Sequence, residues 1–227
     1  MTASEEPHAP GYDVRIVALR IGDSDYRVRA LSDRRQFADP DGEAERAGIS
    51  SALWPLFGQI WPAGVVLADA ASMLPVEGRR ILEFGCGLAL SSLVLQRRGA
   101  DITASDHHPL VADFLRHNAA LNGLPGIPYR DAPWIEENPG LGRFDLLLGG
   151  DVLYERDHVP LLAGFLQRHA APVAEILITD PGRGHANALG RALASQGFSV
   201  TEERLRFGVE DAPPYRGRLL RYRRGIG

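Results

Sequence analysis

The residues with most chemistry in this sequence are a carboxylate and two alternating glycines, Glu83-Phe84-Gly85-Cys86-Gly87. An apolar run, Ile81-Leu82, leads into them, and a helical pattern through Leu90, Leu93 and Val94 leads out. The pattern predicts a buried strand that bends sharply into a helix. Glycine at such a bend adopts dihedrals closed to other residues and lets a ligand lie against the main chain. The first N–H groups of the new helix face the same crevice. Turns of this kind bind nucleotide-like ligands; the alternative is a tight turn that binds nothing.

Spacing narrows the ligand. A dinucleotide fingerprint needs a third glycine where Leu90 stands, and a phosphate loop needs Gly-Lys-Ser/Thr in a sequence that contains no lysine. Glu83 would repel a pyrophosphate and suits a ligand carrying an ammonium group. Asp106, about 20 residues beyond the glycines and at the tip of the next predicted strand, stands where ribose hydroxyls would lie. After a third strand comes Asp131-Ala132-Pro133-Trp134, an acid and an aromatic for the edge and face of a base; Trp134 also suits the rim of the core. The continuous apolar run from Phe144 to Leu148 reads as a central strand buried on both faces. It delivers Asp151 and Tyr154 beside the strand of Glu83, where open α/β sheets bind ligands. Asp151 also reads as a helix cap or backbone anchor.

The elements that must position these side chains follow from pattern. Val14 to Leu19 and Tyr26 to Leu31 alternate around the turn cluster Gly22-Asp23-Ser24-Asp25, which predicts a β-hairpin. Residues 1–10 read as a disordered tail, and 33–50 as a charged surface loop. Trp54-Pro55 and Trp61-Pro62 each set tryptophan before proline, which favours extended backbone at the tryptophan and a helix starting at Pro62 or Ala63. Trp61 at that helix entrance can stack on a cationic or purine ligand, whereas Trp54 reads as a core anchor. Helices are expected over 88–98, from Pro109 to Leu121, around Val159 to Leu166 and over 186–196. Strands are expected at 102–105, 127–130, 174–179, 198–203 and 215–224, the last antiparallel to its neighbours.

Bulk properties restrict the function classes. The chain has 227 residues, a net charge of −4, a pI near 6.0 and one cysteine. There is no global basic field to draw it to nucleic acid, no disulfide framework and no apolar stretch near the roughly 18 residues of a membrane span. The expected setting is cytoplasmic. All 25 basic side chains are arginine, which a GC-rich coding bias explains. Asp106-His107-His108 is a poor metal set, because adjacent histidines at a strand end seldom converge on one ion; no metal site is expected.

In order and spacing, Glu83-x-Gly85-x-Gly87, Asp106 and Asp151-x-x-Tyr154 resemble the seven-strand S-adenosylmethionine (SAM) methyltransferases, with Ala89 in place of the last motif glycine. Gly58-x-x-Trp61-Pro62-Ala63 and Trp134 resemble one branch, the family 16 protein-lysine methyltransferases acting on chaperones and on the electron-transfer flavoprotein β subunit. The resemblance implies a doubly wound α/β fold: a seven-stranded Rossmann-like sheet with an antiparallel last strand and an N-terminal hairpin extension. Residues 1–50 would form tail, hairpin and loop, and 51–227 the catalytic domain. It implies SAM as cofactor, held by Trp61, Glu83, Gly85, Cys86, Gly87, Asp106, His107, Trp134 and Gly150, with Asp151 and Tyr154 catalytic at the acceptor entrance. The implied acceptor is a protein lysine. A small amine or hydroxyl compound is the alternative acceptor, and a SAM-fold module that binds without catalysis is the alternative class.

Overall fold

In a computed structural model, residues 11–207 and 215–225 are described, so the expected tail at 1–10 lies outside the described residues. In chain order the elements are β1 (Val14–Ile21), β2 (Ser24–Leu31), α1 (Glu43–Arg46), a 3-10 turn at Trp54–Leu56 where extended backbone was expected at Trp54, α2 (Pro62–Met73), β3 (Arg80–Phe84), α3 (Leu90–Arg97), β4 (Asp101–Asp106) and α4 (Val111–Leu121). They continue with β5 (Tyr129–Asp131), β6 (Phe144–Gly150), α5 (His158–His169), β7 (Ala170–Asp180), α6 (Ala186–Ser195), β8 (Ser199–Phe207) and β9 (Tyr215–Arg224).

Seven strands form one sheet in the order β5-β4-β3-β6-β7-β9-β8. β3 pairs in parallel with both β4 and β6, while β9 runs antiparallel to β7 and β8. The chain winds outward from β3 in one direction and from β6 in the other, so the crevice beyond their carboxyl ends is the topological switch point. Side chains alternate along β3. Ile81 joins the cluster shared with α3, α4 and the hairpin, and Leu82 and Phe84 join the cluster shared with α5 and α6. Two glycines end β6 for steric reasons. A Cβ at Gly149 would stand 2.5 Å from the Phe84 ring, and one at Gly150 would stand 3.3 Å from Gly64 Cα in the first turn of α2.

The hairpin β1–β2 pairs in register from Val14 with Leu31 to Ile21 with Ser24. Tyr26, Val28 and Ala30 of β2 face inward and are buried. The free edge of β2 does not meet another strand. Asn118 in the last turn of α4 and Asn122 at its C-cap pair with the backbone of Arg29 and Arg27 instead. Arg27 N–H donates to Asn122 Oδ1 at 2.9 Å and Arg29 N–H to Asn118 Oδ1 at 2.7 Å, and Asn122 Nδ2 donates back to Arg27 O at 2.8 Å. Two amide side chains thus do what a neighbouring strand would do for an exposed edge.

Residues 33–50 differ from the expected featureless loop. The one-turn helix α1 buries Ala44 completely, and Asp39 accepts the N–H groups of Ala44 and Glu45 at 3.0 and 2.9 Å. One apolar residue among charges carries no periodic signal, so only tertiary contact reveals that turn. β5 is also shorter than its apolar approach suggested, with only Tyr129–Asp131 paired to β4.

Candidate active site

The bend after β3 is built as its glycines require. Gly85, Gly87 and also Ala89 lie in the left-handed region, at φ 57°, 50° and 57°. A Cβ on Gly85 would stand 3.2 Å from both Trp134 and Val152, and one on Gly87 would stand 2.9 Å from the carbonyl oxygen of Phe57. Ala89 adopts the third left-handed conformation without being glycine, at a strain of about 1–2 kcal/mol.

Glu83 turns into the first turn of α3. Its Oε2 accepts the Ser92 N–H at 2.7 Å and the Ser92 hydroxyl at 2.5 Å. Burial pushes its pKa up to about 7, and the hydrogen bonds from Ser92 only partly oppose that. This carboxylate has helix-end donors but no cationic partner among the ion pairs of the described residues.

Asp106 ties the next strand to the glycine bend. Its Oδ2 accepts Gly87 N–H at 2.9 Å, and its Oδ1 accepts the N–H groups of His107 and His108 at 2.8 and 3.0 Å. Oδ1 is thereby saturated, and Oδ2 keeps one lone pair. The two histidines diverge. His107 is half exposed, whereas His108 is buried and stacks on Phe57 with ring centroids 3.9 Å apart. Burial lowers the His108 pKa to about 4, so its ring is neutral. Cys86 is also buried, and burial pushes its thiol well above the ordinary range, which keeps it from acting as a nucleophile.

Across the crevice, Asp151 continues the β6 ladder through its N–H to Thr179 O at 2.9 Å and then takes φ 53°. Its carboxylate is met by Arg183, Nε to Oδ1 and Nη2 to Oδ2, both at 2.6 Å. Tyr154 stands at the rim, partly exposed. Burial of its ring and the nearby carboxylates of Asp106, Glu155 and Asp151 raise its hydroxyl to about 12, so it stays protonated. Its ring lies 4.6 Å from that of His158, and His158 lies 5.5 Å from Trp134, so an aromatic wall runs from Tyr154 back to Gly85.

Trp61 caps α2 in extended backbone. Its Nε1–H donates to Leu56 O at 2.9 Å, and the Arg34 guanidinium lies 5.4 Å from its ring. The helix it opens is fixed at the site by Gly64 against Gly150 and by the Thr179 hydroxyl donating to Ala63 O at 2.9 Å. Glu83, Gly85, Cys86, Gly87, Asp106, Trp134, Gly150, Asp151 and Tyr154 therefore share the carboxyl edge of the sheet, with His107 at its β4 margin. Sequence reading missed Ser92, His158 and Arg183. Only Arg183 left a signal, as a cation between glycines after the strand that neighbours β6.

An open sheet with a glycine bend, a buried carboxylate at the switch point and an acid on the adjacent strand is the arrangement of the seven-stranded methyltransferase fold. More narrowly, the chain belongs to the lysine methyltransferase family, whose sequence profile matches residues 55–188. It is similar to the electron transfer flavoprotein beta subunit lysine methyltransferase of Rattus norvegicus, 30% identical over 162 residues that cover 70% of this chain and 62% of that protein. It is similar also to EEF1A lysine methyltransferase 3 of Mus musculus, 28% identical over 183 residues, 73% of this chain and 78% of that protein. Among solved structures, the T. thermophilus 16S rRNA N2 G1207 methyltransferase RsmC superposes with a TM-score of 0.64 over 97% of this chain and 53% of its own, at 16% identity, a likeness of fold.

The cofactor is SAM, and the residues present fit it. The carboxylate of Glu83, buried and without a cationic partner among the described residues, is of a kind that would suit a cationic amino-acid portion. Gly85 and Gly87 have no Cβ because Trp134, Val152 and the Phe57 carbonyl occupy that side of the bend, which packs it tightly at the crevice.

Proposed function

We propose that this protein methylates a lysine side chain of a protein acceptor in the cytoplasm. The observation that carries the reading is Asp151 beside Tyr154 at the carboxyl end of β6, one strand from the glycine bend, in a chain of the lysine methyltransferase family. In this reading Glu83 receives the ammonium group of the cofactor and the free lone pair of Asp106 a ribose hydroxyl. The ring of Trp134 lies against the base, and Trp61, Cys86, His107 and Gly150 complete the surround. When bound, SAM supplies a methyl group on cationic sulfur, open to in-line attack.

The protein's own contribution is placement. Holding acceptor and donor in line accounts for about 7–11 kcal/mol of barrier in such reactions. A lysine ammonium, with an ordinary pKa near 10.4, has no lone pair until it loses a proton. Asp151 accepts an N–H of the amine and so turns its lone pair inward, Tyr154 walls the entrance, and solvent takes the proton.

The test uses purified protein, radiolabelled SAM and a cell lysate, with label followed into proteins and into the small-molecule fraction. Because this sequence contains no lysine, none of the labelled methyllysine found by mass spectrometry arises from methylation of the enzyme itself. Label on protein lysine supports the reading, and label confined to small molecules overturns it. Asp151→Ala is expected to lower transfer at least a hundredfold while S-adenosylhomocysteine (SAH) affinity changes less than threefold. A large loss of SAH binding would assign Asp151 to the cofactor instead.

A further inference from the structure

Asp151 does not face the entrance as a bare anion. Both of its oxygens are held by Arg183, Nε and Nη2 each at 2.6 Å, in a bidentate pair that fixes guanidinium and carboxylate in one plane. Arg183 is itself placed by the carboxylate that ends β7. Asp180, fully buried, accepts the N–H groups of Gly182 and Arg183 at 3.1 and 3.3 Å through Oδ1, and its Oδ2 is bound by Arg218 of β9 at 2.8 Å. Gly182 and Gly184, at φ 95° and 92°, bend the chain on either side of Arg183.

We propose that Arg183 determines the charge state in which the acceptor enters: by neutralising Asp151 it leaves an entrance that orients a free amine but does not capture an ammonium ion. This rests on the lysine reading above. A carboxylate offers about four lone-pair positions and the guanidinium takes two, so Asp151 still accepts an N–H from a neutral amine. What it has lost is the net charge that would hold the protonated, unreactive form. The other charged or titratable groups around the pair are Tyr154 and Glu155 after β6, Asp180 and His185 after β7, and Tyr215 and Arg218 on β9. Arg34 lies over Trp61 at the start of α2. Arg183 acts through Asp151 and is a positioning residue.

The test needs no identified acceptor. Sinefungin carries a primary amine where SAM carries its methyl, and SAH carries neither, so the ratio of their affinities isolates that amine. Calorimetric titration of both ligands from pH 7 to 10 is expected to give a sinefungin preference that does not fall with pH in the wild type. Arg183→Met, which bares the carboxylate, should raise that preference at least tenfold at pH 7 and make it fall as the amine deprotonates. Arg183→Lys should behave as wild type. A wild-type preference that falls with pH overturns the proposal whether or not Arg183→Met folds, as does an Arg183→Met protein that binds SAH normally with an unchanged ratio. Failure of the wild type to bind SAH would instead overturn the cofactor assignment, and this proposal with it.

Discussion

Side chains in the crevice carry two opposed demands, burial and charge, and Glu83 shows the result most clearly. Its folded pKa of about 7 lies above the ordinary 4.5, so the folded protein holds a proton in the interval between them that the unfolded chain does not. The Glu83 contribution to stability is therefore full below pH 4.5 and lost as pH rises through 7, by about 3 kcal/mol across the whole interval. A ligand ammonium favours the carboxylate, so SAH affinity should rise from pH 6 to 8 with release of a proton, seen as a buffer-dependent heat. Glu83→Gln should flatten both trends and weaken SAH binding at least tenfold at pH 8, as urea unfolding and calorimetry would register. Gly87→Ala meets the Phe57 carbonyl at 2.9 Å from a left-handed backbone. It should cost about 2 kcal/mol or more in urea unfolding, together with most SAH binding. At this scale the sequence disclosed the carboxylates and glycines, because their types and spacing are local. It did not disclose Ser92 as the partner of Glu83 or Arg183 as the partner of Asp151, because those pairings depend on where a helix start and a neighbouring strand end fall in space.

Between elements, the hairpin and α4 are joined by a contact that hydrophobic periodicity does not encode. Asn118 stands on the expected helix and Asn122 just past its end, but their pairing with Arg29 and Arg27 of β2 spans 89 and 95 positions along the chain. Changing both to Ala strips the edge of β2 of its partners. Urea unfolding should show a loss of about 2–4 kcal/mol, at about 1 kcal/mol for each hydrogen bond removed. Amide exchange should be fastest at Arg27 and Arg29. Most elements were legible because their patterns are strong: the alternation in β2, the apolar run of β6, and the proline that starts α2. The turn α1 was not, since Ala44 alone supplies its buried face and Asp39 its donor partners. β7 begins four residues before the expected Ala174, at Ala170, because Phe144 of β6 pairs there before the register shifts.

The molecule as a whole is a sheet whose chain order places its chemistry. β3, β4 and β6 lie side by side, so Glu83, Asp106 and Asp151 arrive at one edge from positions far apart in sequence. Glu83 and Asp106 have no arginine partner there among the described residues, whereas Asp151 is neutralised by Arg183, so the uncompensated carboxylates lie on the β3–β4 side of that edge. The antiparallel pairing expected for β9 is present, and its Arg218 reaches back to Asp180 to steady the loop of Arg183. Among the described residues, no helix is long and apolar enough to cross a membrane. The most direct test is a crystal structure with SAH bound. The account predicts the amino-acid portion at Glu83 and the glycine bend, adenosine between Asp106 and Trp134, and the sulfur facing Asp151 and Tyr154. Density for SAH at any other place, or with its sulfur turned away from Asp151, would contradict it.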